Sequence, residues 1–166
     1  MIRSILALFI AYWVFAPIFA KADAVSDARK QIEAAYQREN AAAMRKDVNG
    51  ILANLAPDYE TTNMQGIKAG REQMKQMLPQ LFAMARSVKA ATKVKSVKLK
   101  GNEATAQVAE HAEMVMVNPK THQTAKLVIE EQSETVWAKG PKGWLKKRSR
   151  TLSSKQTVNG KPAPSM

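Results

Sequence analysis

At 166 residues the chain is the size of a single domain, and its 45% hydrophobic content is ordinary for a globular protein. With no cysteine and only two histidines, His111 and His122, it offers no disulfide framework, no thiolate nucleophile and no Cys- or His-built metal site; the sequence calls for no metal and no cofactor. The formal net charge of +12 raises nucleic acid as a partner. Basic residues spread along the chain, without interleaved aromatics, argue against that partner.

The N-terminus reads as an export signal. Arg3 supplies a positive start, Ile5 to Phe19 is an apolar run interrupted by Pro17, and small residues follow at Ala20, Ala22 and Ala24. The run of about 15 residues is short of the roughly 20 needed to span a bilayer. Residues 1–24 are therefore expected to be a signal peptide, cut after Ala22 or Ala24, and the mature chain to be periplasmic or secreted. A cysteine-free chain suits an oxidising compartment.

From Ser26 or Asp27, either of which can cap a helix, Ala28, Ile32, Ala35, Tyr36 and Ala43 fall on one stripe as far as about Arg45. Asp47 is the expected cap of a short second helix, with Ile51, Leu52 and Leu55 facing inward. Pro57 sets its limit at Ala56, because the residue before a proline is pushed out of the helical region. Tyr59, Thr61 and Thr62 favour a strand, and Gln65-Gly66 a turn. After Gly70 a helical stripe follows through Met74, Met77, Leu78, Leu81, Phe82 and Ala85, with Glu72 favourably placed in the first turn and a kink expected at Pro79.

Beyond Lys89 the apolar period becomes two. Four strands are expected, at about 90–99, 103–117, 124–138 and 144–154, joined by turns at Gly101-Asn102, Asn118–Thr121 and Gly140–Gly143. The folded domain then spans 25–154, and 155–166, with Gly160, Pro162 and Pro164, reads as a flexible tail.

The alternation fixes a register. In 103–117 the even residues are the apolar set, and in 124–138 the odd ones. A turn centred on Lys120 and Thr121 brings both sets to one face, with Met114 opposite Leu127, Ala112 opposite Ile129 and Glu110 opposite Glu131. Two carboxylates so opposed cannot both stay ionised without help: one is protonated, or a cation lies between them. Pairing Trp144 with Trp137 in the next hairpin supplies that cation by setting Arg150 across from Glu131. His111 falls on the opposite face, across from Glu130, and His122 in the turn.

Ala56-Pro57-Asp58-Tyr59, Gly70-Arg71-Glu72-Gln73-Met74, Lys142-Gly143-Trp144 and Ser153-Ser154, in this order behind two helices, resemble the nuclear transport factor 2-like superfamily, in particular its polyketide cyclase-like and small uncharacterised bacterial domains. The resemblance covers about 26–154. It implies an α+β fold, a cone-shaped curved antiparallel sheet wrapped around the N-terminal helices, with an internal pocket and a sheet through which a homodimer can form. Some members are isomerases or cyclases working through carboxylates, and ketosteroid isomerase is a standard example of such pKa tuning. Their Tyr and Asp oxyanion pair with a separate Asp base has no match here, since Asp27, Asp47 and Asp58 are the aspartates beyond the leader and Asp58 alone lies near a pocket mouth.

Three functions follow. The first is an exported pocket domain binding a small, partly apolar ligand, or acting as an interaction module. Tyr36, Tyr59, Trp137 and Arg150 are its candidate ligand contacts, beside a methionine-rich inner stripe of Met74, Met77, Met114 and Met116. The second is an isomerase or cyclase-type enzyme with Glu110 or Glu131 as acid–base group and Tyr36 as hydrogen-bond donor. The third is a basic surface that makes weak, salt-sensitive contact with anionic envelope lipids or polymers through Lys146, Lys147 and Arg150.

Overall fold

A computed structural model of the protein describes residues 16–141 and 143–163. Arg3 and most of the apolar leader lie outside the described residues. The first helix, α1 (Ala16–Met44), runs through Ser26 and Asp27 instead of being capped there. The alanine-rich segment upstream continues the helical ladder, and Pro17 falls in the first turn, where a missing N–H costs nothing. No described helix is long and apolar enough to cross a membrane.

Asp47 caps α2 (Val48–Leu52) as expected, its carboxylate accepting from the Gly50 N–H. This helix ends before Ala56, because Leu55 and Ala56 already belong to β1 (Leu55–Thr62). Asn63 turns the chain by accepting from the N–H groups of Gln65 and Ile67, with Gly66 at a φ of 80°. The short β2 (Lys68–Gly70) leads into α3 (Arg71–Met84), whose start is fixed by the Gly70 N–H donating to Gln73 Oε1. α3 contains Pro79 without a break. Four long strands follow: β3 (Ala85–Lys100), β4 (Glu103–Val117), β5 (Thr124–Gly140) and β6 (Gly143–Val158).

The sheet order is β2-β1-β6-β5-β4-β3. β1 runs parallel to β6, so the sheet is mixed where a wholly antiparallel one was expected. It is curved and unclosed around the helices, giving the α+β cone. Pro57 lies where the β1–β6 register shifts, a place that needs no ladder donor. The chain beyond Ser154 is also more ordered than a tail: β6 continues to Val158, Asn159-Gly160 reverse it, and β7 (Lys161–Pro162) pairs back. Asn159 secures that corner, its N–H donating to the Lys126 carbonyl and its Oδ1 accepting from the Lys126 N–H.

α1 lies along β3, where Arg29 donates to the Val94 carbonyl, Thr92 bonds Asn40 and Lys46 reaches the Ala85 carbonyl. Its small residues Ala28 and Ala35 let the helix close onto Ala104, Ala106 and Val108, and Ile32, Trp137 and Trp144 complete this main core. Each large side chain enclosed there contributes roughly 1.5–3 kcal/mol. Ala42, Ile51 and Phe82 form a second cluster, and Leu52, Leu55 and Tyr59 a third. Met77 is not part of the inner stripe: it is 62% exposed on the outer side of α3.

Candidate functional site

The β4–β5 ladder has the register read from the sequence. Met114 pairs with Leu127, Ala112 with Ile129, His111 with Glu130, and Glu110 with Glu131. Glu110 and Glu131 face the helices, half-buried, because the even set of β4 and the odd set of β5 share the core face. Their partners are hydroxyls. Ser133 Oγ donates to Glu110 Oε2 at 3.0 Å, and Thr151 Oγ1 donates to Glu131 Oε1 at 2.8 Å. Burial pushes the Glu131 carboxyl above its ordinary value; the Thr151 bond opposes this and the charge of Glu110 adds to it.

Arg150 does not join them. The β5–β6 ladder carries two register shifts, at Val136/Trp137 and at Gln132/Ser133, each adding one residue on the β6 side. Trp137 pairs with Lys146 in the register that the Gly140–Gly143 turn sets, and the shifts beyond it put Arg150 across from Glu134 and Ser154 across from Glu131. The Arg150 side chain is 65% exposed on the outer face, 4.0 Å from Glu134.

Lys146, on the hairpin side of both shifts and two residues from the buried Trp144, points inward, where it is only 4% exposed and cannot serve as a surface cation. Its ammonium lies 3.0 and 3.1 Å from the carboxylate oxygens of Glu39 on α1. It also stands 4.6 Å from the Tyr36 ring centroid and 5.5 Å from that of Trp137. Burial by itself opposes this charge, but Glu39 leads a set of negative neighbours that outweigh it and hold the Lys146 pKa well above the usual value. Tyr36, Trp137 and Thr135 complete the cluster. Thr135 Oγ1 accepts from the Tyr36 hydroxyl at 3.0 Å and from Trp137 Nε1 at 2.9 Å, and donates to the Ala106 carbonyl at 3.4 Å. Burial pushes the Tyr36 phenol up to about 12 against the pull of Lys146, and burial raises Tyr59 as well. Tyr36, Tyr59 and Trp137, expected as ligand contacts, are thus enclosed core residues.

A concavity of about 590 Å³ crosses β3 to β6 on the other side of the sheet. Thr92, Glu110, Glu131 and Ser154 form one row of the ladder, and their backbone is its floor. The neighbouring rows, including Lys93, His111, Glu130, Gln132, Ser153 and Lys155, are its walls.

No protein-family model and no curated protein sequence matches the chain. Solved structures do. A scytalone dehydratase-like protein from Novosphingobium aromaticivorans is 15% identical with a TM-score of 0.70, over 87% of this chain and 99% of that one. A ketosteroid isomerase-like protein from Erwinia carotovora atroseptica is 21% identical with a TM-score of 0.54, over 75% and 95%. A nuclear transport factor 2-like protein with a cystatin-like fold, also from Novosphingobium aromaticivorans, is 16% identical with a TM-score of 0.59, over 85% and 90%. The chain has the nuclear transport factor 2-like fold.

Within this fold the sequence reading missed Glu39 and Lys146. Glu39 had a visible signal: Ala28, Ile32, Ala35, Glu39 and Ala42 recur at alternating spacings of four and three, so a carboxylate stands on the buried stripe of α1 and demands a cation. Lys146 had one as well, since it stands two residues beyond Trp144 and so shares that residue's inward face. Among the described residues no group of three or more His, Asp or Glu side chains is placed to hold a metal ion.

Proposed function

We propose that this nuclear transport factor 2-like domain binds a small, partly apolar molecule against the inner face of its sheet, with Glu110 and Glu131 receiving the ligand's hydroxyl or amine hydrogens. The observation that carries this reading is the carboxylate pair itself, half-buried and bonded only to hydroxyls while Ala112, Leu127 and Ile129 beside it remain partly exposed. At the other end of the same face Lys146 and Glu39 already pair with each other. A thermal-shift screen of small apolar alcohols and amines tests the reading, with hits titrated by tryptophan fluorescence. Replacing Glu131 by Gln should weaken a true hit about tenfold, the worth of one hydrogen bond to a charged group. A screen without hits, or hits indifferent to both Glu110→Gln and Glu131→Gln, refutes it.

A second reading is carboxylate acid–base catalysis of the isomerase or cyclase kind. The raised Glu131 pKa beside Glu110 favours it, since a proton donor and a proton acceptor can then coexist. The dehydratase-like and isomerase-like names among the structural neighbours are compatible with that chemistry. Turnover of a screening hit that vanishes in Glu131→Gln while binding persists would separate catalysis from binding. Export is the third part of the proposal. Cutting after Ala22 or Ala24 would shorten α1 but keep Ala28 and the buried stripe that follows it, and intact-mass measurement on periplasmic and secreted fractions would locate the cut.

A further inference from the structure

Two of the four long strands of the sheet, β3 and β6, carry basic residues and no acidic one. β3 carries Arg86, Lys89, Lys93, Lys95, Lys98 and Lys100 and no acidic residue, and all six are exposed. Among the described residues, Lys89 alone of these meets a carboxylate, that of Glu113 at 3.9 Å. Lys93 belongs to the wall of the outer concavity, and Lys155 stands in its opposite wall on β6. Three strand spacings separate the two strands, roughly 15 Å. Neither lysine has an ion-pair partner among the described residues, although Glu130 pairs with Lys155 across the ladder.

We infer that this concavity is a docking groove for a linear acidic polysaccharide of the polyuronate kind. Charge complementarity favours an anion, and shape and lining chemistry select among anions. A bilayer surface is flat and cannot follow a trough sunk between two rows of side chains. A nucleic acid wants dense phosphate neutralisation and aromatic platforms for its bases. The walls hold no Phe, Tyr or Trp on which bases could stack. A second copy docking by this face would bury Lys93 and Lys155 of both copies with a single wall carboxylate, Glu130, for each pair of lysines. A polyuronate carries one carboxylate per sugar for the lysines. Its hydroxyls suit Glu130 as acceptor and Gln132 and Ser153 as either partner.

The test is isothermal titration of the full chain with alginate oligomers at low salt, beside neutral dextran, anionic phospholipid vesicles and duplex DNA. The combined Lys93→Glu/Lys155→Glu variant should bind alginate about tenfold or more weakly, from two charge reversals at contact distance. Lys30→Glu/Lys75→Glu makes the same change of net charge on exposed positions of α1 and α3 and should lose less than about twofold at this range in salt. The milder Lys93→Gln/Lys155→Gln should fall between them, and all melting temperatures should stay at the parent value. Equal losses in the groove and control variants would reduce the effect to net charge and overturn the groove. So would binding of dextran, tighter binding to vesicles or DNA than to alginate, or self-association lost in the groove variants.

Discussion

Replacing Lys146 by Met tests whether the buried ion pair is the keystone of the inner face. Met keeps most of the apolar stem beside Tyr36 and Trp137 but removes the ammonium, leaving Glu39 beside two aromatic rings without a counter-charge. Breaking a buried pair by deleting one partner costs about 3–5 kcal/mol. The Glu39 side chain is 19% exposed, so water relieves part of the stranded charge and the loss should fall near the low end, about 3 kcal/mol. Of that, roughly 1–2 kcal/mol is the desolvated cation–π contact. For a domain of this size the change corresponds to a melting temperature about 10 °C lower. Urea unfolding at neutral pH, followed by tryptophan fluorescence, gives the number directly. Adding Glu39→Leu should recover stability to within about 1 kcal/mol of the parent, since an apolar pair of similar volume replaces a buried ionic one at little cost. A loss under about 1 kcal/mol in Lys146→Met, or a double variant as unstable as the single one, would refute the argument.

Thr135→Val strips the acceptor from the Tyr36 hydroxyl and from Trp137 Nε1 together, so at about 1–3 kcal/mol for each stranded donor the loss should be about 3 kcal/mol in urea unfolding. Thr135→Ser keeps the oxygen and should stay within about 1 kcal/mol of the parent. Because burial raises the Glu131 pKa above its ordinary value of 4.5, its neutral form favours the fold; that contribution is complete below 4.5 and is lost as pH rises through the folded value. Glu131→Gln, which cannot ionise, should therefore be the more stable protein at neutral pH, with the difference closing as urea unfolding is repeated toward pH 4. Tyr36 follows the same sign at higher pH. Its contribution is present below 10 and disappears as pH rises to about 12, so absorbance at 295 nm should show no ionisation of this phenol at pH 10.

The parts of the fold that local chemistry specifies were open to reading. Asp47 as a cap, the turn at Gly66 and the register of β4 on β5 each follow from residues close together in sequence, and each is present. Glu110 facing Glu131 came from that register alone. The β6 ladder was not legible, because its two extra residues leave no mark in composition and each reverses which side chains point inward. The first of them turns Arg148 and Arg150 outward, while Lys146, on its hairpin side, keeps the inward direction of Trp144. The parallel pairing of β1 with β6 joins segments far apart in sequence and has no local sign either. The ordered end did have one: Asn159-Gly160, at φ values of 51° and 78°, is the dipeptide that favours a tight hairpin turn, and it outweighs the prolines that follow.

Alternation along β3 to β6 also separates the two proposed sites. Glu110 and Glu131 point inward from the row whose backbone floors the outer concavity, while Lys93 and Lys155 stand on the rows beside it and point outward. A strand's backbone lies between the two sets, and its hydrogen bonds are already taken by the ladder, so neither set shares a partner with the other. Changes at such sites should add. Glu131→Gln should leave alginate affinity within about twofold of the parent, and Lys93→Glu/Lys155→Glu should leave binding of an inner-face ligand equally untouched. Isothermal titration of each variant with both ligands decides the matter. Coupling larger than about 0.5 kcal/mol would mean that the shared row shifts as a unit when either face is occupied, and the sheet would then be one site with two mouths rather than two independent surfaces.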